Sequence, residues 1–260
     1  MPQLIIYEFC MSSIARALFS RRCIFNVPGN SMKKIEKASI LMADTIVFDL
    51  EDGVPLNGKV DARNMIYKAI KKRKGSVNTH ECYWIGTNIQ LLACIESSKA
   101  FSSMKDICLS SSRLAGLVFS AEDFCAESDQ IKVWNYFTPD PLWLYAVILS
   151  VCSLIAKSFG LQAIDMVCLD YKDTQKLERE CTMGRSMGYT GKQAIHPDQI
   201  KVIQGLFSPS EKEYKSALEI VQKYQEHIDR GIGAFEYQGK VVDLPVVKKA
   251  EKIVRSYEQK

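Results

Sequence analysis

The stretch Thr45-Ile46-Val47-Phe48-Asp49-Leu50-Glu51-Asp52-Gly53 runs apolar residues into an abrupt acidic end. Its β-branched and aromatic content reads as a strand, and the Glu-Asp-Gly that follows reads as the turn leaving it. Working outward, the same shape recurs. Cys23 to Val27 ends in Pro28-Gly29-Asn30, Gln90 to Ile95 ends in Glu96, and Leu114 to Phe119 runs to Glu122-Asp123. Met166 to Leu169 ends in Asp170, and Gln193 to Ile195 ends in His196-Pro197. Helical stretches lie between these runs, which is the alternation that builds a parallel sheet or barrel. In such a barrel all strand C-termini open on one face, where chemistry sits, so the acidic ends would converge there.

Composition sets the class. The chain has 260 residues, 47% of them hydrophobic and 25% charged, an ordinary globular balance with enough apolar residues for a sizeable core. Its 34 basic and 30 acidic residues are well mixed, so a net +4 does not describe a nucleic-acid binder. The 9 cysteines include no C-x-x-C pair and several sit in apolar runs, the pattern of buried free thiols in a reducing compartment. From Met11 to Arg22 the chain carries serines and arginines among apolar residues and no acid, which resembles a mitochondrial targeting segment. The apolar run Pro141 to Ala156 is shorter than the roughly 18 residues of a spanning helix and reads as a helix of a soluble core, not a membrane anchor.

Helices are expected over Ser31 to Lys37, Lys59 to Lys74 and Ser97 to Asp106. Near the C-terminus, Ser208-Pro209-Ser210-Glu211 places a hydroxyl at the N-cap, proline at the first helical position and a carboxylate at the third, a capping box that begins a further helix. Gly231-Ile232-Gly233 would stop it, Phe235 to Val242 around Gln238-Gly239 reads as a hairpin, and a last helix follows Pro245. The expected organisation is a targeting segment over 1–22, a barrel domain over 23–207 and a C-terminal extension over 208–260.

Five motifs occur in one order: Val27-Pro28-Gly29-Asn30; Phe48-Asp49-Leu50-Glu51-Asp52-Gly53-Val54; Ala121-Glu122-Asp123-Phe124; Gly160-Leu161-Gln162-Ala163-Ile164-Asp165; and Gly191-Lys192-Gln193-Ala194-Ile195-His196-Pro197. This series resembles the HpcH/HpaI aldolase and citrate lyase beta family, and within it the mitochondrial branch. The resemblance covers about residues 20 to 85 and 90 to 258. It implies a trimeric TIM barrel using Mg²⁺ to split citramalyl-CoA into pyruvate and acetyl-CoA, with a malate-synthase-like side activity. By motif, Glu96 and Asp123 match the family's magnesium ligands, and Lys33, Lys37, Lys59 and Arg63 match positions that bind coenzyme A phosphates. Ile164 and Asp165 fall where the family contacts the coenzyme A arm, and Asp243 matches an aspartate that reaches the next subunit's site as acid or base.

The residue types suit that chemistry. Magnesium needs few protein ligands, all hard oxygens. Glu51 and Asp52 fit equally as groups that orient metal-bound water and as caps of the next helix. Lys59 and Arg63, four apart, can meet one phosphate, though a solvated helix face also explains them. His196 before Pro197 reads as a turn residue.

The match departs at one place. Trp84 stands where the family carries an arginine that grips the substrate carboxylate, and Thr87-Asn88-Ile89-Gln90 then leads straight into the strand ending at Glu96. Roughly two βα units of ~30 residues each are left out. An incomplete barrel exposes two unpaired strand edges. The alternative to an active lyase is therefore a catalytically impaired relative that still binds coenzyme A or assembles with active subunits. The segment Cys125 to Pro141 also departs from the family pattern.

Overall fold

The computed structural model describes residues 21–38, 40–73, 90–128 and 142–258. The expected targeting segment apart from its last two residues, Trp84 and most of Cys125 to Pro141 lie outside the described residues.

Contacts divide the chain into two compact units, Met1–Gln204 and Gly205–Lys260. In the first, six strands, β1 (Cys23–Pro28), β2 (Thr45–Asp49), β3 (Leu91–Ile95), β4 (Leu114–Phe119), β5 (Gln162–Asp165) and β6 (Gly191–Ala194), form one sheet in the order β2-β1-β6-β5-β4-β3. Every pairing in it is parallel. Helices α1 (Met32–Ala38), α2 (Lys59–Arg73), α3 (Ser98–Ser102), α4 (Met104–Leu109), α5 (Ala121–Glu127), α6 (Leu142–Ser158), α7 (Thr174–Ser186) and α8 (Pro197–Phe207) alternate with the strands.

The sheet is curled. Adjacent strands lie about 4.8 Å apart, so in a flat sheet of this size the two edge strands would stand about 24 Å apart. Instead Val47 of edge strand β2 and Leu92 of edge strand β3 share one core cluster with Ile24, Val118 and Ile164. Arg21 makes the same point at the N-terminal end, where its buried guanidinium donates to both Gln162, leading β5, and Gln90, leading β3. Among the described residues the architecture is an α/β barrel type open between β2 and β3, as in an incomplete TIM barrel.

Two strands differ from expectation. The strand placed at Met166 to Leu169 lies at Gln162–Asp165 instead, and the apolar residues after it form a loop whose Met166 and Cys168 are buried without strand pairing. Met166 N–H donates to the Asp165 carboxylate at 2.9 Å in place of a ladder partner. Strand β6 begins two residues before Gln193, because Lys192, 0% exposed, sits in its middle with its charge matched by buried acids. The helix expected over Ser97 to Asp106 divides into α3 and α4 at Ser103. No helix among the described residues is long and apolar enough to cross a membrane; α6 instead packs on β4 and β5.

The second unit holds α9 (Glu211–Ile228), the hairpin β7 (Phe235–Tyr237) and β8 (Lys240–Val242), and α10 (Leu244–Glu258). A capping box does open α9, but two residues later than expected: Ser210 is the N-cap and Glu213 its reciprocal partner. Gln238 and Gly239 carry φ of 51° and 74°, the left-handed pair that a two-residue hairpin turn needs. Phe235, Tyr237, Val242 and Val247 form this unit's core.

Candidate active site

Because the sheet is parallel, the loops after all six strands open on one face. The turn after β2 is built by Asp49, whose carboxylate accepts from Glu51 N–H at 2.6 Å and Gly53 N–H at 2.8 Å. A side chain at position 53 would start 2.2 Å from that carboxylate, so any larger residue must displace the acid that closes the turn. The Pro28-Gly29-Asn30 turn is fastened to it, Gly29 N–H donating to the Asp49 carbonyl at 2.8 Å. Glu51 and Asp52 are thereby held exposed at the mouth.

Glu96 follows β3 and Asp123 lies in the first turn of α5 after β4. These acids and those after β2 lie within electrostatic reach of one another. Glu96 is pushed up from the usual carboxylate range by desolvation, then by Glu51, Asp123 and Asp52. Glu51 is raised by desolvation, then by Asp52, Asp49 and Asp123, while Lys59 acts the other way. Asp123 is raised by desolvation and by Asp52. The curl thus gathers carboxylates from three strand ends, two of them at opposite edges of the sheet. Such a mouth stores like-charge repulsion that a hard cation would relieve.

Among the described residues no three acids, histidines or cysteines come close enough to hold a metal ion by themselves. An all-protein cage is therefore absent from that part of the chain, whereas one or two carboxylates completed by water and substrate is how Mg²⁺ is ordinarily held. Glu96 and Asp123 fit that donor set, being oxygen ligands only.

Lys33 and Lys37 are exposed one turn apart on α1, whose Ile35 and Ala38 face inward. Helix α1 packs against α2, which carries half-buried Lys59 and exposed Arg63 one turn apart. The structure therefore puts the four predicted cations on two adjacent helices, with Lys59 near enough to act on Glu51.

Ile164 and Asp165 are placed differently from an open ligand surface. Ile164 is 0% exposed in the core cluster, and Asp165, 2% exposed, pairs with Lys192 at 3.1 Å. Any contact with a coenzyme A arm at these positions would come through the main chain. Asp243 belongs to the second unit, exposed at the start of α10, where its side chain accepts from Val246 N–H at 3.3 Å. His196 stacks on Tyr171 with ring centroids 4.6 Å apart. Sequence reasoning passed over Asp49, Lys192 and Gln199; only the Asp-x-x-x-Gly spacing of the β2 turn signalled any of them.

Buried thiols offer no nucleophile. The described cysteines are all free, and burial pushes Cys94, Cys152 and Cys181 up to about 12.

Comparison with known proteins agrees with this layout. The family model described as HpcH/HpaI aldolase/citrate lyase matches residues 22–81 and 73–197. The mitochondrial citramalyl-CoA lyase of Homo sapiens is 32% identical over 302 residues, covering 94% of this chain and 87% of the human protein. The (3S)-malyl-CoA thioesterase of Cereibacter sphaeroides is 29% identical over 260 residues, covering 85% and 89%. Among solved structures, protein CitE from Mycobacterium tuberculosis, in complex with magnesium, acetoacetate and coenzyme A, superposes with a TM-score of 0.73 at 22% identity over 94% of this chain and 99% of that one. A citrate lyase from Burkholderia xenovorans gives 0.74 at 15% identity, covering 93% and 92%. With the ordered motifs, the acidic strand ends and the curled parallel sheet all in place, the chain belongs to the HpcH/HpaI aldolase/citrate lyase family, whose members include carbon–carbon lyases of acyl-CoA substrates.

Proposed function

We propose that this protein is a Mg²⁺-dependent carbon–carbon lyase that cleaves citramalyl-CoA to pyruvate and acetyl-CoA, with a malate-synthase-like side activity. The observation that carries the reading is the gathering of Glu51, Asp52, Glu96 and Asp123 at the strand C-termini. Glu96 and Asp123 would hold the cation, which when bound polarises the substrate hydroxyl and lowers its pKa. Glu51 and Asp52 orient water around that position. A carboxylate takes the hydroxyl proton, the carbon–carbon bond breaks to leave a ketone, and the electron pair passes into the thioester as an enolate. One proton delivered to that enolate gives acetyl-CoA, so atoms and charge balance. Asp243, supplied by a neighbouring subunit of a homotrimer, is the group proposed to move that proton. Lys33, Lys37, Lys59 and Arg63 bind the coenzyme A phosphates, and the main chain at Ile164 and Asp165 meets its arm. The mitochondrial relatives support a mitochondrial location.

The edge left unpaired between β2 and β3 among the described residues, with Trp84 at the position of a carboxylate-binding arginine, favours a second reading: a relative that binds coenzyme A without turnover. One assay separates the two. Purified protein is mixed with citramalyl-CoA and Mg²⁺, and pyruvate is read by coupled reduction. The lyase reading expects Mg²⁺-dependent pyruvate release that Glu96→Gln lowers by at least about 100-fold while the fold persists. Unchanged turnover in Glu96→Gln would sink the metal assignment. Coenzyme A binding without any pyruvate would establish the second reading.

A further inference from the structure

Gln199, in the first turn of α8, is 1% exposed and uses both ends of its amide. Its oxygen accepts from the main-chain N–H groups of Ile195 at 2.9 Å and His196 at 3.1 Å. Its nitrogen donates to the carbonyl of Cys168 at 2.8 Å. The partners fix the amide's orientation, since two N–H donors require the oxygen and a carbonyl requires the nitrogen. One buried side chain thus joins the loop leaving β5 to the loop leaving β6, satisfying backbone groups that have left the sheet.

The same two loops are anchored below the clamp. Lys192 of β6 reaches Asp165 of β5 and Glu180 of α7, each at 3.1 Å, and the second oxygen of Asp165 accepts from Met166 N–H. Above it, the loops present the stacked rings of Tyr171 and His196, both partly open to solvent, with Asp198 3.4 Å from His196 Nδ1. None of the gathered carboxylates comes from β5 or β6; they leave β2, β3 and β4.

We propose that Gln199 is a positioning residue that holds the β5–α7 and β6–α8 loops in one arrangement, forming a wall of the mouth that receives the acyl-CoA ligand. The inference rests on the lyase reading for the identity of the ligand. Because none of the acids that perform the chemistry leaves β5 or β6, loosening the clamp weakens ligand binding and leaves bond cleavage unchanged.

Gln199→Met keeps the volume and removes all three hydrogen bonds. Hydrogen exchange measured on the whole chain should then quicken about tenfold at Ile195 and His196, and the KM for citramalyl-CoA should rise about tenfold with kcat within about twofold. Gln199→Glu is the companion variant. It keeps an acceptor for Ile195 and His196 but turns an oxygen toward the Cys168 carbonyl, so exchange should quicken at Met166 and Tyr171 and stay slow at Ile195. Unchanged exchange in both variants overturns the clamp. Faster exchange with unaltered KM reduces it to a structural role, and a fall in kcat at constant KM also overturns the proposal. If wild-type protein binds coenzyme A without turnover, the lyase reading fails and the coenzyme A dissociation constant replaces KM in the same comparison. If it binds none, both fail.

Discussion

Lys192→Met should cost this protein a large part of its stability, and the structure says how much. The ammonium is fully buried between Asp165 and Glu180, each 2% exposed. Burial alone would push its pKa down, but Asp165 and then Glu180 outweigh that and leave it raised, so the charge persists at neutral pH. Methionine fills the same space and leaves two carboxylates facing one another without a cation. Removing one partner of a buried pair costs about 3–5 kcal/mol. With total stability of about 5–15 kcal/mol and a urea m-value of about 2 kcal/mol per M, the unfolding midpoint should fall by about 2 M. The three tryptophans, Trp84, Trp134 and Trp143, all precede Gln204, so tryptophan fluorescence reports on the first unit alone. Glu180 makes a sharper control. Asp165 and Glu180 share the one ammonium, so Glu180→Gln in the wild type leaves the Lys192–Asp165 pair intact and should cost less than about 1 kcal/mol, and in Lys192→Met should restore part of the loss. A midpoint shift below about 0.5 M, or a Glu180→Gln loss as large as that of Lys192→Met, would refute the reasoning.

Three further outcomes are expected of the mouth. The raised carboxyls Glu51, Glu96 and Asp123 hold protons more tightly in the folded state, so their contribution is present below the unfolded carboxylate value and lost as pH rises through the folded one. Mg²⁺ would take the proton's place. At about 100 times its Kd it should stabilise by about 2.7 kcal/mol, seen as a higher Tm at pH 7.5 and a much smaller gain at pH 5; equal gains at both pH values would contradict the site. Paired removal of Lys59 and Arg63 as alanines should weaken coenzyme A binding about tenfold and flatten its dependence on salt, measured by calorimetry at two ionic strengths. Asp243→Asn should slow turnover about 100-fold with near-normal coenzyme A affinity, and equal loss of both would argue against a proton-moving role.

How much of the fold is legible in the sequence depends on where each element finds its partners. Strands β1 to β4 are legible because their apolar runs end on turn or acidic residues within the chain itself. Strand β5 is displaced from its expected position because Met166 and Cys168 are as buried as strand residues while their backbone partners lie elsewhere: Met166 N–H on the Asp165 side chain and the Cys168 carbonyl on Gln199. Strand β6 is longer than its apolar run suggests because of Lys192, whose charge looks foreign to a core until Asp165 and Glu180 are seen beside it. The cap of α9 is ambiguous because Ser208 and Ser210 each offer a hydroxyl, with Glu211 and Glu213 as matching acids, and only the second pair closes reciprocally. Convergence of the acids is legible from topology, since parallel strands share one open face. Their mutual repulsion is not, because it depends on how far the sheet curls.

That curl also bears on the missing units. Strands β2 and β3 are consecutive in the described chain yet occupy opposite edges of the sheet, each with one ladder face unpaired among the described residues. The family match breaks into two segments that overlap at 73–81, from the last residue of α2 to just short of the junction Trp84 to Gln90. The alignment to the human relative runs over 302 residues although this chain has only 260, so part of the relative stands opposite nothing here. A surplus of that order matches about two βα units of ~30 residues, the number needed to bring six strands to the eight of a closed barrel. The remaining strands already bend toward closure, since Val47 and Leu92 meet in one core. Sequencing the transcript across the codons for Trp84 to Gln90 decides between a closed and an open form of the protein. Additional coding sequence there, including an arginine for the substrate carboxylate, would close the sheet and supply the charge the mouth lacks, making the closed form the active lyase. An unaltered junction would leave two open edges beside an acidic mouth, a form suited to binding coenzyme A or joining complete subunits, and turnover would then have to be absent.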